Sequence, residues 1–280
     1  MNDDHSWALR MIYRVKAFVP TRLWSAATAP YWWWYNRARH QAAAVLSARL
    51  REDQRHLRGL RDSHRGERCF ILGNGPSLQK TDLSRLRGEN TFGLNRIYLL
   101  FPEMGLSTTY LVVVNTLVVE QCARDLKALA MPKYVTWRGR RWLAEDPGTV
   151  FLDTDYLPPA TFSPDVSRRV YEGSTVTYVA LQLAFHMGFD EVILVGVDHR
   201  FQAQGAPNVT VTSQGPDPDH FSASYFGPGF RWQLPDLEAS ERAYRLASAA
   251  YLAAGRRILD ATVDGALTVF PRVDYHRMFS

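Results

Sequence analysis

Short segments that are apolar at nearly every position recur along the chain and end in glycine, asparagine or aspartate. The clearest are CFILG, which begins at Cys69, and VILVGVD, which ends at Asp198. A strand that is apolar throughout is buried on both faces, as in a parallel sheet covered by helices. A composition of 46% hydrophobic and 22% charged residues agrees with a globular protein that has a large core.

From Arg68 onward, such strands alternate with segments that are typical of helices. Further strands are predicted in NTFGLNRIYLL, where the strand ends at Asn95, and over TTYLVVVN, KYVTWRG, TVFLDT and RRILDAT. Helices are predicted over DLSRLRG, TLVVEQCARDLKALA, STVTYVALQLAFHMGF and residues 236–254. The alternation predicts an α/β fold, doubly wound around a mainly parallel, Rossmann-like sheet, in one domain over residues 66–280. In such sheets ligands bind beyond the carboxyl ends of the strands.

Residues 1–62 are predicted to form a separate helical extension that is basic and aromatic. Residues 1–70 hold 13 Lys and Arg against 6 Asp and Glu, whereas the remainder holds 20 against 22. Aromatic rings and arginines crowd together in residues 23–39, which suits the headgroup interface of a bilayer. Residues 1–40 are therefore predicted to bind an anionic membrane surface, and packing of the rings on the body or on a partner subunit is the alternative. Residues 40–62 are predicted to be a basic helical linker.

The sequence also bounds the compartment and the partners. Cys69 and Cys122 have neither metal-ligand nor redox spacing, so we expect buried free thiols in a reducing compartment. The first residues lack the continuous apolar segment of a signal peptide. We expect a cytoplasmic protein that is peripheral on the inner face of the cytoplasmic membrane. Either a monomer or a homo-oligomer is compatible with the sequence. Nucleic acid is not an expected partner, because the basic residues lie outside the domain and accompany no recognised motif.

The turn after the first core strand, GNGPS, is the first candidate binding element. Its residues are Gly73, Asn74, Gly75, Pro76 and Ser77. Glycine lets a backbone turn sharply and approach a ligand closely, and the following N–H groups could face a phosphate. The motif is neither the dinucleotide fingerprint nor the Walker pattern, and a purely structural tight turn is the alternative.

Other polar residues end predicted strands or begin a predicted helix. They are Asn95, Asn115, Gly173, Ser174, Thr175, Asp198 and His199. Amide groups donate and accept together, which suits a nucleobase, ribose or phosphate better than a metal. A hydroxyl at a helix start could contact an anion or could simply be a cap.

Residues 202–235 form a loop rich in glycine, proline and aromatic residues that carries His220. A lid that brings a general base to a substrate has this composition. A surface loop with an incidental histidine is the alternative.

The segments FILGNGPSL, FGLN, GSTVTYVALQLAFHMGFDEVILVGVD and HFSASYFG occur in an order that resembles a known group of enzymes. They resemble the bacterial lipooligosaccharide sialyltransferases and the broader DUF115, or MptE-like, superfamily. That superfamily includes motility-accessory glycosyltransferases and an archaeal 6-hydroxymethyl-dihydropterin diphosphokinase. The resemblance covers about Cys69 to Phe270.

The sialyltransferase likeness implies a GT-A-like, metal-independent, inverting glycosyltransferase without a cofactor. The donor would be a CMP-activated nonulosonic acid, and the acceptor a glycan or lipid-linked glycan. Asn74 and Asn95 would bind the nucleotide, with Ser174 near the donor, and His220 falls on the family's general base. Arg200 stands where the family places a tyrosine that holds the leaving phosphate, and a guanidinium suits that task. A second family tyrosine has no counterpart near Ala206, which puts the identity of the donor in doubt.

Two other functions remain alternatives. The MptE-like relationship implies a pterin diphosphokinase that uses ATP and magnesium, with Asp198, Asp217 and Asp219 as candidate ligands. A non-catalytic nucleotide- or glycan-binding scaffold at a membrane is the second.

Overall fold

The computed structural model describes residues 47–156 and 161–279, and Arg49–Ser280 forms one compact unit. The predicted membrane-binding segment, residues 1–40, lies outside the described residues. The strands are β1 Arg68–Leu72, β2 Asn90–Leu94, β3 Tyr110–Val113, β4 Lys133–Thr136, β5 Thr149–Leu152, β6 Thr154–Asp155, β7 Val170–Tyr171, β8 Glu191–Val195, β9 Thr210–Thr212, β10 Arg231–Gln233 and β11 Arg257–Asp260. The helices are α1 Ala48–Gly59, α2 Phe101–Met104, α3 Thr116–Gln121, α4 Ala123–Ala128, α5 Arg140–Leu143, α6 Val176–Met187 and α7 Leu237–Ala253.

Seven strands form one sheet in the order β11-β8-β1-β2-β3-β4-β5, and every neighbouring pair is parallel. The predicted α/β fold is confirmed. From β1 the chain adds strands on one side as far as β5, and it then returns to add β8 and β11 on the other side. The direction of winding therefore reverses between β1 and β8, which is where ligands bind in open α/β sheets.

Burial on both faces explains the apolar strands. In β1, Cys69, Phe70, Ile71 and Leu72 each have 0% exposure. Helices α6 and α7 cover one face, and α6 lies over β1, β2 and β3. Helix α6 ends shortly before β8 begins, and the separate β6–β7 pair that precedes it follows the carboxyl end of β5, so the first residue of α6 lies at the carboxyl edge of the sheet.

Within the described part of the helix predicted over residues 40–62, Ala48–Gly59 forms α1, which packs on the domain. Leu57 belongs to the hydrophobic core, and a hydrogen bond of 2.8 Å joins its carbonyl oxygen to Nε2 of His186. Asp53 accepts a hydrogen bond from the backbone N–H of Phe151 at 3.2 Å, which occupies a donor of the edge strand β5.

Three predicted elements differ from the observed ones. TLVVEQCARDLKALA forms two helices, α3 and α4, because the backbone leaves the helical region at Cys122 (φ −113°, ψ 14°). KYVTWRG ends as a strand at Thr136 and continues as a 3-10 turn over Trp137–Gly139. DLSRLRG forms a 3-10 turn over Leu83–Leu86.

None of the described helices has the length and apolar character needed to cross a bilayer. Both cysteines are free and buried, as expected, and burial raises the pKa of each thiol.

Candidate functional site

The turn after β1 is joined to the segment after β8. Ser77 donates its backbone N–H to Oδ1 of Asp198 at 3.1 Å and its hydroxyl to Oδ2 at 2.6 Å. Asp198, which follows the neighbouring strand β8, therefore caps the 3-10 turn Pro76–Lys80. The Ser77 donors that the sequence suggested for phosphate are used within the protein.

The glycines of this turn are required by the same contact. A Cβ on Gly73 would lie 2.2 Å from the carbonyl oxygen of Gly196, and a Cβ on Gly75 would lie 1.8 Å from Oδ2 of Asp198. Both glycines have ordinary negative φ values or extended backbone, so close packing rather than backbone conformation excludes a side chain. The glycines thus allow the ends of β1 and β8 to touch.

Asn74 brings the predicted lid loop to the sheet. Its carbonyl oxygen accepts the backbone N–H of Phe221 at 2.9 Å, and Gln79 donates its side-chain amide to the carbonyl of Phe221. His220 therefore lies directly beside the GNGPS turn. The side-chain oxygen Oδ1 of Asn74 is buried and has no hydrogen-bond partner among the described residues.

His220 is held by a carboxylate and by aromatic rings. Its Nδ1 lies 2.8 Å from Oδ2 of Asp217, and its ring stacks on Tyr225 with centroids 4.0 Å apart and an interplanar angle of 8°. Only 11% of the side chain is exposed. The sequence predicts a lid that moves its histidine toward a substrate, whereas these contacts hold the His220 ring in place.

Asp217 belongs to the candidate site as the partner of His220, whereas the sequence indicated it only as a candidate magnesium ligand. Its carboxylate also accepts the backbone N–H of Asp219 at 2.9 Å and of Phe226 at 3.0 Å. Burial raises the pKa of Asp217, but the His220 hydrogen bond, the His220 charge and these N–H donors together hold it below its usual value. An ionised Asp217 can only accept, so it favours a proton on Nδ1 of His220, and in a neutral imidazole the lone pair is then on Nε2.

Asp219 has a structural role. Its two oxygens accept the backbone N–H groups of Gln202 at 2.6 Å and Ala203 at 3.3 Å. With 5% exposure it fixes the base of the loop. Among residues 47–156 and 161–279, no group of three or more His, Cys, Asp and Glu side chains is arranged to hold a metal.

Asn95 and Arg96 directly follow β2, the neighbour of β1 in the sheet. Asn95 has a left-handed backbone (φ 48°), and its buried Oδ1 has no hydrogen-bond partner in the part of the chain that the structure describes. Two asparagine oxygens without partners, on Asn74 and Asn95, therefore follow adjacent strands at the same edge. Such atoms cost free energy unless a ligand or water satisfies them.

Arg96 is a cation at this edge that sequence reasoning missed. Its guanidinium lies 5.7 Å from the Tyr225 ring and 5.0 Å from the Phe230 ring, and it donates to Ser224 O and Tyr98 Oη. No carboxylate of the described residues forms an ion pair with it. A half-buried arginine without a carboxylate is a candidate anion ligand. The signal available in the sequence was its position directly after the strand-ending Asn95.

Asn115 acts as a helix cap. Its Oδ1 accepts the backbone N–H of Leu117 at 2.9 Å, and its Nδ2 lies 3.5 Å from Oε1 of Gln233. The second contact joins the end of β3 to strand β10 of the loop. Asn115 therefore connects the end of β3 to the loop that carries His220.

The segment Gly173–Thr175 lies at the same edge but against α7. Thr175, not Ser174, caps α6, with its Oγ1 accepting the N–H of Thr177 at 3.3 Å. Ser174 is exposed and left-handed (φ 62°), and its carbonyl accepts from Ser240 at 3.4 Å. A Cβ on Gly173 would lie 2.5 Å from the Tyr178 ring.

His199 and Arg200 follow β8, which lies on the opposite side of β1 from β2. His199 is left-handed (φ 53°) and lies 3.4 Å from Glu241, and burial lowers its pKa despite that carboxylate. Arg200 is exposed and donates to the carbonyl of Asp264 at 3.5 Å. No hydrogen bond, ion pair or ring contact joins Arg200 to His220.

The site is therefore built from two parts. One joins Asn74, Asn95, Arg96 and the Asp217–His220 pair, and the other surrounds the start of α6. Three left-handed residues that are not glycine, Asn95, Ser174 and His199, occur at this edge. Backbone strain of this kind gathers at functional sites.

Among known proteins, a distant likeness to a solved structure is found. No family model and no curated protein matches the chain. Among solved structures, the chain is similar to the MAf glycosyltransferase from Magnetospirillum magneticum AMB-1, with 15% identity and a TM-score of 0.47. The alignment covers 82% of this chain and 39% of that one, so this chain spans less than half the length of that protein.

Proposed function

We propose that the protein is a glycosyltransferase that transfers a sugar from a CMP-activated donor, a nonulosonic acid, to a hydroxyl of a glycan or lipid-linked acceptor. The observation that carries the proposal is the Asp217–His220 pair, held beside Asn74 at the reversal point of the sheet. The order of the motifs in the sequence supplies the donor class.

His220 is the proposed general base. Asp217 keeps the proton on Nδ1, which leaves Nε2 as the basic nitrogen. Stacking on Tyr225 limits the ring to one orientation. A base in a fixed tautomer and orientation needs little reorganisation when a substrate binds.

In the proposed step, Nε2 of His220 removes the proton from the acceptor hydroxyl as that oxygen forms a bond to the anomeric carbon. The bond from the anomeric carbon to the donor phosphate oxygen breaks, and CMP leaves with the bonding electron pair. The protein must then stabilise the developing phosphate charge. Arg96, a half-buried guanidinium, supports this role, and Arg200 is a second, exposed cation at the same edge.

The nucleotide is proposed to satisfy the side chains of Asn74 and Asn95. Their oxygens can accept from an exocyclic amine or a ribose hydroxyl, and their N–H groups can donate. The proposed nucleotide site is shaped by the contacts among Gly73, Gly75, Pro76, Ser77 and Asp198. Asn115 and Gly173–Thr175 are proposed to act on the donor through the elements they cap or begin.

The diphosphokinase alternative gains no specific support. The oxygens of Asp198, Asp217 and Asp219 accept from Ser77, His220 and backbone N–H groups. These contacts give each carboxylate a role in the fold of the site.

Calorimetric titration with CMP, in EDTA, tests the nucleotide site. We expect Asn74→Ala and Asn95→Ala each to weaken CMP binding by about 10-fold, because each removes a hydrogen bond worth ~1 kcal/mol or more. Asn90→Ala is the matched control, since Asn90 begins β2, the strand that Asn95 follows, and donates to Glu67.

Equal CMP affinity in all four proteins would contradict the site. A titration with ATP and magnesium serves as the second arm. Tight ATP binding with magnesium, and none with CMP, would favour the diphosphokinase.

A further inference from the structure

A basic and aromatic segment follows β4 at the same edge of the sheet as the candidate site. It runs from Trp137 to Trp142, with the sequence WRGRRW, and is called the Arg/Trp segment below. It comprises the 3-10 turn Trp137–Gly139 and the start of α5. Since β4 is parallel to β1 and β2, its carboxyl end lies at their carboxyl edge.

Arginines in and beside this segment stack on aromatic rings. Arg140 lies 4.9 Å from the Trp137 ring and donates to the Trp137 carbonyl at 3.1 Å. Arg141 lies 3.9 Å from the Trp142 ring. In each pair an exposed guanidinium lies over a partly buried indole ring, so a charged and an apolar group lie side by side at the surface.

The charge of the segment is largely uncompensated. Arg140 and Arg141 are exposed, and neither forms an ion pair with a described residue. Arg138 is bound to Glu172. Of the two acidic residues that follow in the sequence, Asp146 pairs with the buried Lys133, and Glu145 is exposed.

The segment is also anchored. The Trp137 ring packs edge-on against Phe151, with centroids 5.5 Å apart, and Leu143 is fully buried. Its exposed arginines therefore keep a fixed direction relative to the sheet.

We propose that the Arg/Trp segment docks on an anionic lipid surface and turns the carboxyl edge of the sheet toward that surface. Indole rings with flanking arginines partition to the boundary between headgroups and acyl chains, and the arginines gain Coulomb energy from anionic headgroups. This contact belongs to the folded domain and is separate from any contact made by residues 1–40. It stands on the segment alone and does not depend on the chemistry of the site.

A fluorescent label on the full-length chain tests the contact directly. The two native cysteines are 0% and 3% exposed, so a thiol-reactive bimane on Arg141→Cys labels a single position. With vesicles of phosphatidylglycerol and phosphatidylcholine, we expect a blue shift of its emission. Arg65→Cys, which is 71% exposed and lies before β1 at the opposite edge, should show none.

Charge reversal gives a second readout. We expect Arg140→Glu/Arg141→Glu to lower partition onto these vesicles by roughly 10- to 30-fold, at about 1 kcal/mol per basic residue. Arg65→Glu/Arg257→Glu carries the same change of charge at the opposite edge and should partition like wild type. Circular dichroism confirms that each variant is folded.

Three results would overturn the proposal. The first is no blue shift at position 141, and the second is an equal shift at position 65. The third is a shift at position 141 with an RNA oligonucleotide but not with vesicles, which would assign the segment to nucleic acid instead.

Discussion

At the scale of single residues, Asp217 determines which nitrogen of His220 can act as a base. The carboxylate accepts from Nδ1 at 2.8 Å and is itself held by two backbone N–H groups. An amide at position 217 could rotate to donate to the ring, which would favour the opposite tautomer. The pair therefore links a hydrogen bond in the loop to the chemistry of the site.

We expect Asp217→Asn to reduce sugar transfer by roughly 10²- to 10⁴-fold, the usual contribution of a positioned general base. The test uses ¹⁵N-histidine-labelled protein, in which NMR distinguishes protonated from unprotonated ring nitrogens. The His220 signals, identified by their loss in His220→Gln, should report the opposite tautomer in Asp217→Asn.

An unchanged tautomer, or activity equal to wild type, would contradict this role for Asp217.

The Asp217 carboxylate also makes the stability of the fold depend on pH. Because its pKa is below its usual value, it stabilises the fold at neutral pH, and this stability is lost as the pH falls through that lowered pKa. Asp217→Asn should lack this acid-side loss in thermal unfolding.

At the scale of elements, the turn after β1 and the segment after β8 pack as one unit. Ser77 donates two hydrogen bonds to Asp198 across them, and Gly73 and Gly75 leave no space for a side chain. Packing therefore requires glycine at positions 73 and 75. The same contact fixes the carbonyl of Asn74, which holds the loop.

We expect Gly75→Ala to lower the free energy of unfolding by about 1–3 kcal/mol, because its Cβ would displace the Asp198 carboxylate. Gly215→Ala is the control, since nothing lies within 4 Å of the added Cβ. Urea unfolding followed by circular dichroism measures both. Equal stability of Gly75→Ala and Gly215→Ala would show that the two segments are not packed as described.

The main elements of the sheet could be predicted because burial on both faces leaves a continuous apolar signal in β1 and β8. The break at Cys122 could not, since nothing in TLVVEQCARDLKALA interrupts the helical pattern. The role of Asn115 was available from the sequence, because an asparagine directly before a helix is a common cap. The role of Asp217 was not, since a contact with His220 depends on how the loop is folded.

At the scale of the whole molecule, the domain and the extension carry separate predicted tasks. The described domain holds the candidate site, and residues 1–40 concentrate aromatic rings and arginines. Helix α1, which begins at Ala48, packs on the domain through Leu57 and Asp53. A deletion that ends at residue 40 spares this helix.

We expect deletion of residues 1–40 to leave the domain folded and to reduce partition onto anionic vesicles at least 10-fold, because several interfacial rings and cations are removed. Co-sedimentation with and without high salt measures it. Salt should weaken wild-type attachment only in part, since the apolar contribution of the rings is not screened. Partition equal to wild type would rule out the extension as an anchor.

The contact between Gly75 and Asp198 also constrains how related chains can diverge. A side chain at position 75 needs the space that the Asp198 carboxylate fills, so a larger residue there requires a smaller one at position 198. A relative with a larger residue at position 75 should therefore lack the acid at position 198. Its serine at the position of Ser77 would then need a different acceptor.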